Sequence, residues 1–415
     1  MTATATGPQP GDADTAIRGI PELEDTGTRL FRELSRIVVA LADRGGLRSF
    51  TLPYPPTAQS ALDRVVLHCL HTGEVPPKSL PELLKWCRHR SAGDRPFTVS
   101  PFLVTPEATL VHPIGLAPTR TCLELASTRP GGGAETTALE LLAQLETRCG
   151  SAERYRRCRQ FLAHQVMVHQ EDRFKRSWSN AVWSRVRDLY HPVPEALLVE
   201  GTLLRCADCR LPARLRGRSA PEHGALVSGA NTWCEGEECP HGVRLELIRD
   251  PDQVRILSRP LRAFVALPLR VEEAALAELD RFGVGYEALS GELNSYRLLG
   301  DGQRVRSLHA YDRLQPTLLA ARLASWTTEI ADGMAVVVPR RLADRAGYRA
   351  AFVAALPEAV RQHVLLTTPE ELVRDLAAIP PQATSSSGTT GRSSPDMPGQ
   401  AGAPTTFETN GDPDA

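Results

Sequence analysis

The chain has 415 residues, a formal net charge of −1 at pH 7 and 42% hydrophobic residues. That length suffices for two or three domains, and the near-balance of charge excludes a histone-like polycation while leaving room for a local basic face. The N-terminus has no apolar signal core, and no apolar run approaches the roughly eighteen residues of a membrane span, so a cytoplasmic protein without membrane contact is expected. Residues 1–16 and 380–415 are rich in Pro, Gly, Ser and Thr and poor in large apolar side chains. They cannot repay the entropy of ordering and read as disordered tails.

A helical domain is expected over 17–129. Leu30, Phe31, Leu34, Ile37, Val38 and Leu41 fall at helical spacing across 28–42, and Gly45-Gly46 closes that helix. A second helix covers 57–72. A third begins at Ser79-Leu80-Pro81-Glu82, where Ser79 caps, Pro81 lies in the first turn and Glu82 reaches back. The Pro-Gly-Gly-Gly run at 130–133 reads as a linker. A basic helical region follows over 134–195, with helices predicted at 135–148 and 152–189. Between Ser151 and Tyr190 stand nine basic and four acidic residues with Trp178 and Trp183 interleaved. Arginines beside aromatics suit phosphate contact and base stacking, with Arg173, Lys175 and Arg176 as candidates. The same pattern also fits an amphipathic helix with its tryptophans, Phe161, Leu162 and Val166 inward and its arginines in water.

Four cysteines mark 196–250 as a zinc ribbon. Cys206 and Cys209 are two residues apart, Cys234 and Cys239 are separated by four, and about 25 residues lie between the pairs. Zinc holds thiolates tetrahedrally and replaces a core in a segment too short to bury one. His241 is an alternate ligand for one thiolate. Arg214, Arg216 and Arg218 lie between the knuckles as candidate phosphate contacts. Cys69, Cys87, Cys122, Cys149 and Cys158, scattered through helical-looking sequence, read as small buried hydrophobes.

Over 251–379 the predicted elements are a helix at 271–282, a strand at 284–289, and a hairpin of 293–299 and 303–311 turned at Gly300-Asp301-Gly302. Then come a helix from Pro316 to Trp326, a strand over 334–338, a helix near 344–356, a strand at 363–367 and a closing helix from Pro369. The fold class is multidomain α+β: a helical N-terminal half, a mid-chain zinc ribbon and a C-terminal α/β domain. Its αβββαβ order is that of the restriction-endonuclease core.

The segments Asn294-Ser-Tyr-Arg-Leu, Ser307-Leu-His-Ala-Tyr-Asp312, Ala335-Val-Val-Val-Pro339 and Val364-Leu-Leu-Thr-Thr-Pro-Glu-Glu-Leu372 resemble the restriction-endonuclease-like protein associated with pPIWI-RE. Pro77-Lys-Ser-Leu-Pro-Glu-Leu-Leu-Lys-Trp-Cys-Arg88 is similar to the companion domain Y of the same three-gene islands. The resemblance implies a role in restricting plasmid or phage DNA, with a pPIWI-RE protein and a DinG-type helicase as partners and nucleic acid as ligand.

Nucleases of this kind hold a divalent metal on an aspartate and a second acid, with a lysine two residues beyond. Carried over, those positions fall on Asn294, His309 and Tyr311, so all three are replaced. The lysines of the whole chain are Lys78, Lys85 and Lys175, so no change of register creates an acid-x-Lys motif after residue 175. Glu272 is a possible retained acid, with Glu292, Asp301, Asp312 and His309 near it in sequence. The expectation is a catalytically degenerate nucleic-acid-binding or assembly subunit. The alternatives are an active endonuclease using Mg2+ at a divergent site and a zinc-ribbon transcription regulator. In the first two readings the zinc is a structural joint.

Overall fold

In the computed structural model, which describes residues 26–45, 47, 50, 52–127, 133–174, 180–216, 231–239, 244–289, 292–299, 305–324 and 333–378, the first apolar stripe forms helix α1 (Thr26–Gly45). Helix α2 (Pro56–Thr72) ends at Gly73, whose φ of 71° is the left-handed conformation a Cβ disfavours, and whose N–H closes on the Cys69 carbonyl. Helix α3 (Leu80–His89) begins where its cap sequence places it. The Ser79 hydroxyl accepts from the Glu82 N–H at 3.4 Å, and the Glu82 carboxylate accepts from the Lys78 N–H at 2.7 Å. Helices α4 (Arg120–Ala126), α5 (Ala134–Cys149) and α6 (Ala152–His164) complete the N-terminal layer. The five scattered cysteines are all buried.

The single long helix expected over 152–189 is broken. After α6 the chain turns into strand β1 (Met167–His169), a short 3-10 turn, helix α7 (Asn180–Val186) and strand β2 (Tyr190–Pro192). Both strands flank β8 (Val254–Leu257), antiparallel on each side. Pairing with a strand nearly ninety residues away satisfies the backbone of Met167-Val168-His169 and buries Val168, which outweighs local helical preference. Trp183 packs against Phe161 and Tyr190, with ring centroids 6.3 and 5.4 Å away, so this tryptophan belongs to the interior side of the basic stretch.

The cysteine segment is a small antiparallel sheet of β3 (Leu198–Val199), β4 (Thr202–Cys206), β5 (Pro212–Leu215) and β6 (Thr232–Cys234) in that order, with β7 (Leu245–Ile248) also paired to β4. After β8, a helical turn at Arg259–Leu261 runs into a π-helical turn at Arg262–Ala266 and then α9 (Leu269–Arg281).

The predicted order holds from there on. The strands are β9 (Gly285–Ala288), β10 (Ser295–Leu299), β11 (Ser307–Ala310), β12 (Met334–Val337) and β13 (Val364–Thr367), with α10 (Pro316–Ala324) between β11 and β12. Helices at Arg340–Ala343, Tyr348–Ala355 and Glu358–Arg361 connect β12 to β13, and Leu372–Ala378 closes the unit. The hairpin turn at 300–302 and Trp326 lie outside the described residues.

The sheet order is β13-β12-β11-β10-β9, antiparallel from β9 to β11 and parallel from β11 to β13. Alternate residues of a strand face opposite sides, and both sides are covered here. Tyr296, Leu298, Leu308, Ala310, Ala335 and Val337 pack with α9 on one side. Tyr311, Val336 and Val338 pack with α10 and Tyr348–Ala355 on the other.

The N-terminal core does not stop at the predicted boundaries. Phe31, Leu34 and Leu83 share one apolar cluster with Leu257, Leu261, Phe264, Val265, Leu293 and Leu318. The described residues from 26 to 378 fall in one compact unit, so the sequence segments share interiors. Among the described residues no helix is long and apolar enough to cross a membrane.

Candidate metal centre and acid site

Strands β4 and β6 end at Cys206 and Cys234, and the turn after each carries the second cysteine of its pair. Each turn contains one left-handed residue, Arg210 at φ 60° and Glu237 at φ 54°, which curls the backbone around the sulfurs. All four Sγ atoms lie within 4.8 Å of one another. Measured separations are 3.7 Å for Cys206 to Cys239, 3.8 Å for Cys209 to Cys234 and 3.5 Å for Cys234 to Cys239. A tetrahedron with Zn–S bonds of about 2.3 Å has edges of about 3.8 Å, whereas a disulfide bond is about 2.05 Å. The thiols therefore have the spacing of ligands around a metal such as zinc, and they could hold one. A side chain at Gly236 would crowd this approach: a Cβ there would lie 3.2 Å from Cys209 Sγ and 3.4 Å from Cys239 Sγ. His241 lies outside the described residues, and the four sulfurs alone fill a tetrahedral shell.

The second pair is spaced more widely because its four intervening residues are anchors. Glu235 takes both Nε and Nη2 of Arg262 at 2.6 Å, each partner being largely buried. Gly236 O accepts from Arg120 Nη1 at 3.0 Å, and the Glu237 carboxylate accepts from the Arg120 backbone N–H at 3.1 Å. Glu238 pairs with Arg345. Arg120 also donates through Nη2 to the Asp312 carboxylate at 2.8 Å and to the Asp312 carbonyl. Burial opposes charge on Asp312, but Arg120 and Arg341 more than offset it and hold its carboxyl below the usual carboxylate range. Beside them the Glu124 carboxylate accepts from the Leu314 and Gln315 N–H groups at 2.8 and 3.0 Å. One arginine of α4 thus ties the N-terminal layer, the cysteine knuckle and the end of β11 together.

The acid site lies on the α9 face of the large sheet. Glu272, only 3% exposed, accepts from Arg159 Nη1 at 2.9 Å and Nη2 at 3.2 Å, and from the Tyr296 hydroxyl. Asn294, with φ 53°, accepts from Arg159 Nη2 at 2.6 Å through Oδ1 and donates from Nδ2 to the Phe264 carbonyl at 3.0 Å. Burial, followed by the Glu272 charge, pushes the Tyr296 phenol up.

Asn294, His309 and Tyr311 do not come together. Ser295 stands opposite His309 in the β10–β11 pairing, and its hydroxyl contacts His309 Nδ1 at 2.7 Å. His309 and Tyr311 stack on the α10 side, with centroids 6.3 Å apart, while Asn294 and Tyr296 turn to α9. The residues that β11 presents toward Asn294 are Leu308 and Ala310, so that face offers no acid from β11 in either register. Glu272 lies with Tyr296 on the α9 face and His309 with Tyr311 on the other, so these two do not share a site. Glu292 instead lies 3.6 Å from His309, and Asp312 is held by Arg120 and Arg341. Burial pushes the His309 imidazole down to about 4.

The candidate phosphate contacts also divide. Arg214 is 8% exposed and donates to the Gly115 carbonyl at 3.2 Å; its place is inside, where β5 meets the 112–118 turn, and it is corrected from a surface contact to an internal one. Arg216 and Arg306 are exposed. Arg173 lies in the Gln170–Phe174 turn with its side chain outside the described set, as are Lys175, Arg176, Arg218, Arg304 and Asp301 altogether. Sequence reasoning missed Arg120, Arg159 and Arg262 as anchors. The available signal was the run of acids inside the second knuckle, since glutamates in a turn that must lie close to thiolates need cationic partners.

Residues 30–169, roughly a third of the chain, match the family model described as pPIWI_RE three-gene island domain Y. No curated protein and no solved structure matches the chain. The domain Y match supports an association with that island, and it contains α1 to α6 and β1, including Arg120 and Arg159.

Proposed function

We propose that the chain is a restriction-endonuclease-like component of a pPIWI-RE defence system that no longer cleaves, and that it acts by binding nucleic acid and assembling with its island partners. One observation carries this reading. On the sheet face where Glu272 lies, Asn294 and Tyr296 and the β11 residues Leu308 and Ala310 stand beside it, so among the described residues the acid site has one carboxylate, and Arg159 already neutralises it. Hydrolysis of a phosphodiester by this route needs at least one open divalent ion on hard oxygen ligands. A saturated, buried ion pair offers none.

Binding survives the loss of cutting more easily, because it needs only positive groups at phosphate spacing. Arg216 and Arg306 are exposed for that role. The proposed zinc site acts as a joint: through Arg120, Arg262 and Arg345 its second knuckle fixes the domain Y segment against the C-terminal sheet. A pPIWI-RE protein and a DinG-type helicase are the partners this reading expects.

The test is incubation of the purified protein with supercoiled plasmid and with single-stranded DNA in Mg2+ or Mn2+, alongside binding to the same DNAs at rising salt. Intact DNA is expected, with affinity falling steeply as salt rises. Metal-dependent cleavage that disappears in Glu272→Ala would replace this reading by an active nuclease. A flat salt response would leave assembly as the whole function.

A further inference from the structure

We infer that the Arg159 guanidinium occupies the cation position of the Glu272–Asn294 site, so that the domain Y segment itself fills the place where the C-terminal unit could otherwise hold a divalent metal. Three oxygens, both of Glu272 and Oδ1 of Asn294, converge on this one guanidinium at 2.6 to 3.2 Å, and the Tyr296 hydroxyl sits on the Glu272 side. A convergent set of oxygen acceptors is what a hard cation requires. The Asn294 amide is pinned with its nitrogen on the Phe264 carbonyl, which leaves its oxygen turned to the centre.

Arg159 comes from α6, 113 residues before Glu272 and 135 before Asn294. It is not part of the sheet that builds the site. The side chain of Arg159 is 18% exposed against 4% for Glu272, so the cation is the member of the pair that reaches solvent. Glu272 alone, beside an amide and a phenol, is a weak shell for Mg2+ or Mn2+, which favours carboxylate oxygens. The guanidinium supplies permanent charge and two fixed hydrogen bonds to the carboxylate instead. Loss of a metal-binding acid and gain of an internal cation are then two halves of one arrangement. The inference shares with the proposed function the reading of Asn294 as a replaced acid, but its test is a binding measurement that says nothing of cleavage.

The experiment compares Mn2+ binding, by electron paramagnetic resonance of the free ion, in zinc-loaded full-length protein and in Asn294→Asp, Arg159→Met and the two combined. Methionine keeps apolar volume and removes the charge. The unaltered protein and Asn294→Asp are expected to show no saturable binding below millimolar Mn2+. The combined variant is expected to bind at least tenfold more tightly, and adding Glu272→Gln to it should abolish the gain. Equal binding by Asn294→Asp alone would mean that Arg159 does not hold the cation position. No gain in the combined variant would mean that the position is not a cation site. Should the combined variant fail to fold in metal-free buffer, refolding with and without millimolar Mn2+ gives the same answer: rescue supports the inference, and failure to rescue overturns it. Cleavage by the unaltered protein would sink the proposed function and leave these binding results standing.

Discussion

Replacing Arg120 by alanine is the most revealing single perturbation. The arginine is 4% exposed and its guanidinium holds Gly236 O and the Asp312 carboxylate, so truncation strips the second cysteine knuckle and the end of β11 of a shared donor. Breaking a buried ion pair costs about 3–5 kcal/mol because one charge is left without compensation. Asp312 retains Arg341 at 2.5 Å, which places the expected loss near the lower end, about 3 kcal/mol. For a cooperative unit of about 350 residues, an unfolding entropy of roughly 2.1 cal/mol/K per residue makes each kcal/mol worth about 1.4 °C, so the midpoint should fall by about 4 °C. The assay is calorimetric melting together with the rate of zinc loss to a chromogenic chelator. Zinc should leave the variant faster, because Gly236 lies against Cys209 and Cys239 and loses its anchor. Arg157→Ala is the control, since Arg157 pairs with Glu153 on the surface and should cost no more than about 0.5 kcal/mol. If Arg120→Ala melted and released zinc like Arg157→Ala, the joint would not exist as described.

Three further outcomes follow. Gly236→Ala should weaken zinc retention while leaving far-ultraviolet dichroism intact, because its Cβ would press on two ligand sulfurs; unchanged retention would argue against the four-thiolate site. Gly115→Ala should loosen the contact between the 112–118 turn and the cysteine-bearing sheet, since a Cβ there would come within 2.5 Å of the Trp233 ring, and the tryptophan emission should shift to the red; an unshifted spectrum would contradict that packing. His309 stays neutral in the folded chain down to about pH 4 but protonates near 6.5 when unfolded. The unfolded state therefore binds more protons between those values, and stability falls as pH drops through the window, by about 2 kcal/mol from this group at pH 5. His309→Gln should flatten the difference between urea midpoints at pH 7.5 and pH 5; identical slopes would place His309 in water rather than between Ser295 and Tyr311.

Much of the fold was legible because local signals and long-range packing agreed. The Ser79 cap, the apolar spacing across 28–42 and the strand signals from 293 to 367 each name an element that the three-dimensional packing also demands. The 152–189 region was misread for the opposite reason. Nothing local in Val166-Met167-Val168 announces β8 as its partner, and the pairing decides the conformation. The cysteine cluster was readable from spacing, because ligand geometry restricts how far apart the pairs may stand. Asn294, His309 and Tyr311 were readable as residue types but not as a place. Position 294 takes a left-handed φ before β10, and that kink sends Asn294 toward α9, away from His309 and Tyr311. Arg159 and Arg120 were hidden because a sequence shows an arginine-rich helix face without showing which arginine turns inward. Arg214 was misjudged in the same way.

The cysteine joint is tested most directly by metal content followed by calorimetric melting before and after a strong chelator. One zinc per chain is predicted, with a single cooperative transition for the compact unit of the described residues that shifts down or splits when the metal is withdrawn. A protein that carries no zinc, or that melts identically without it, would contradict the account.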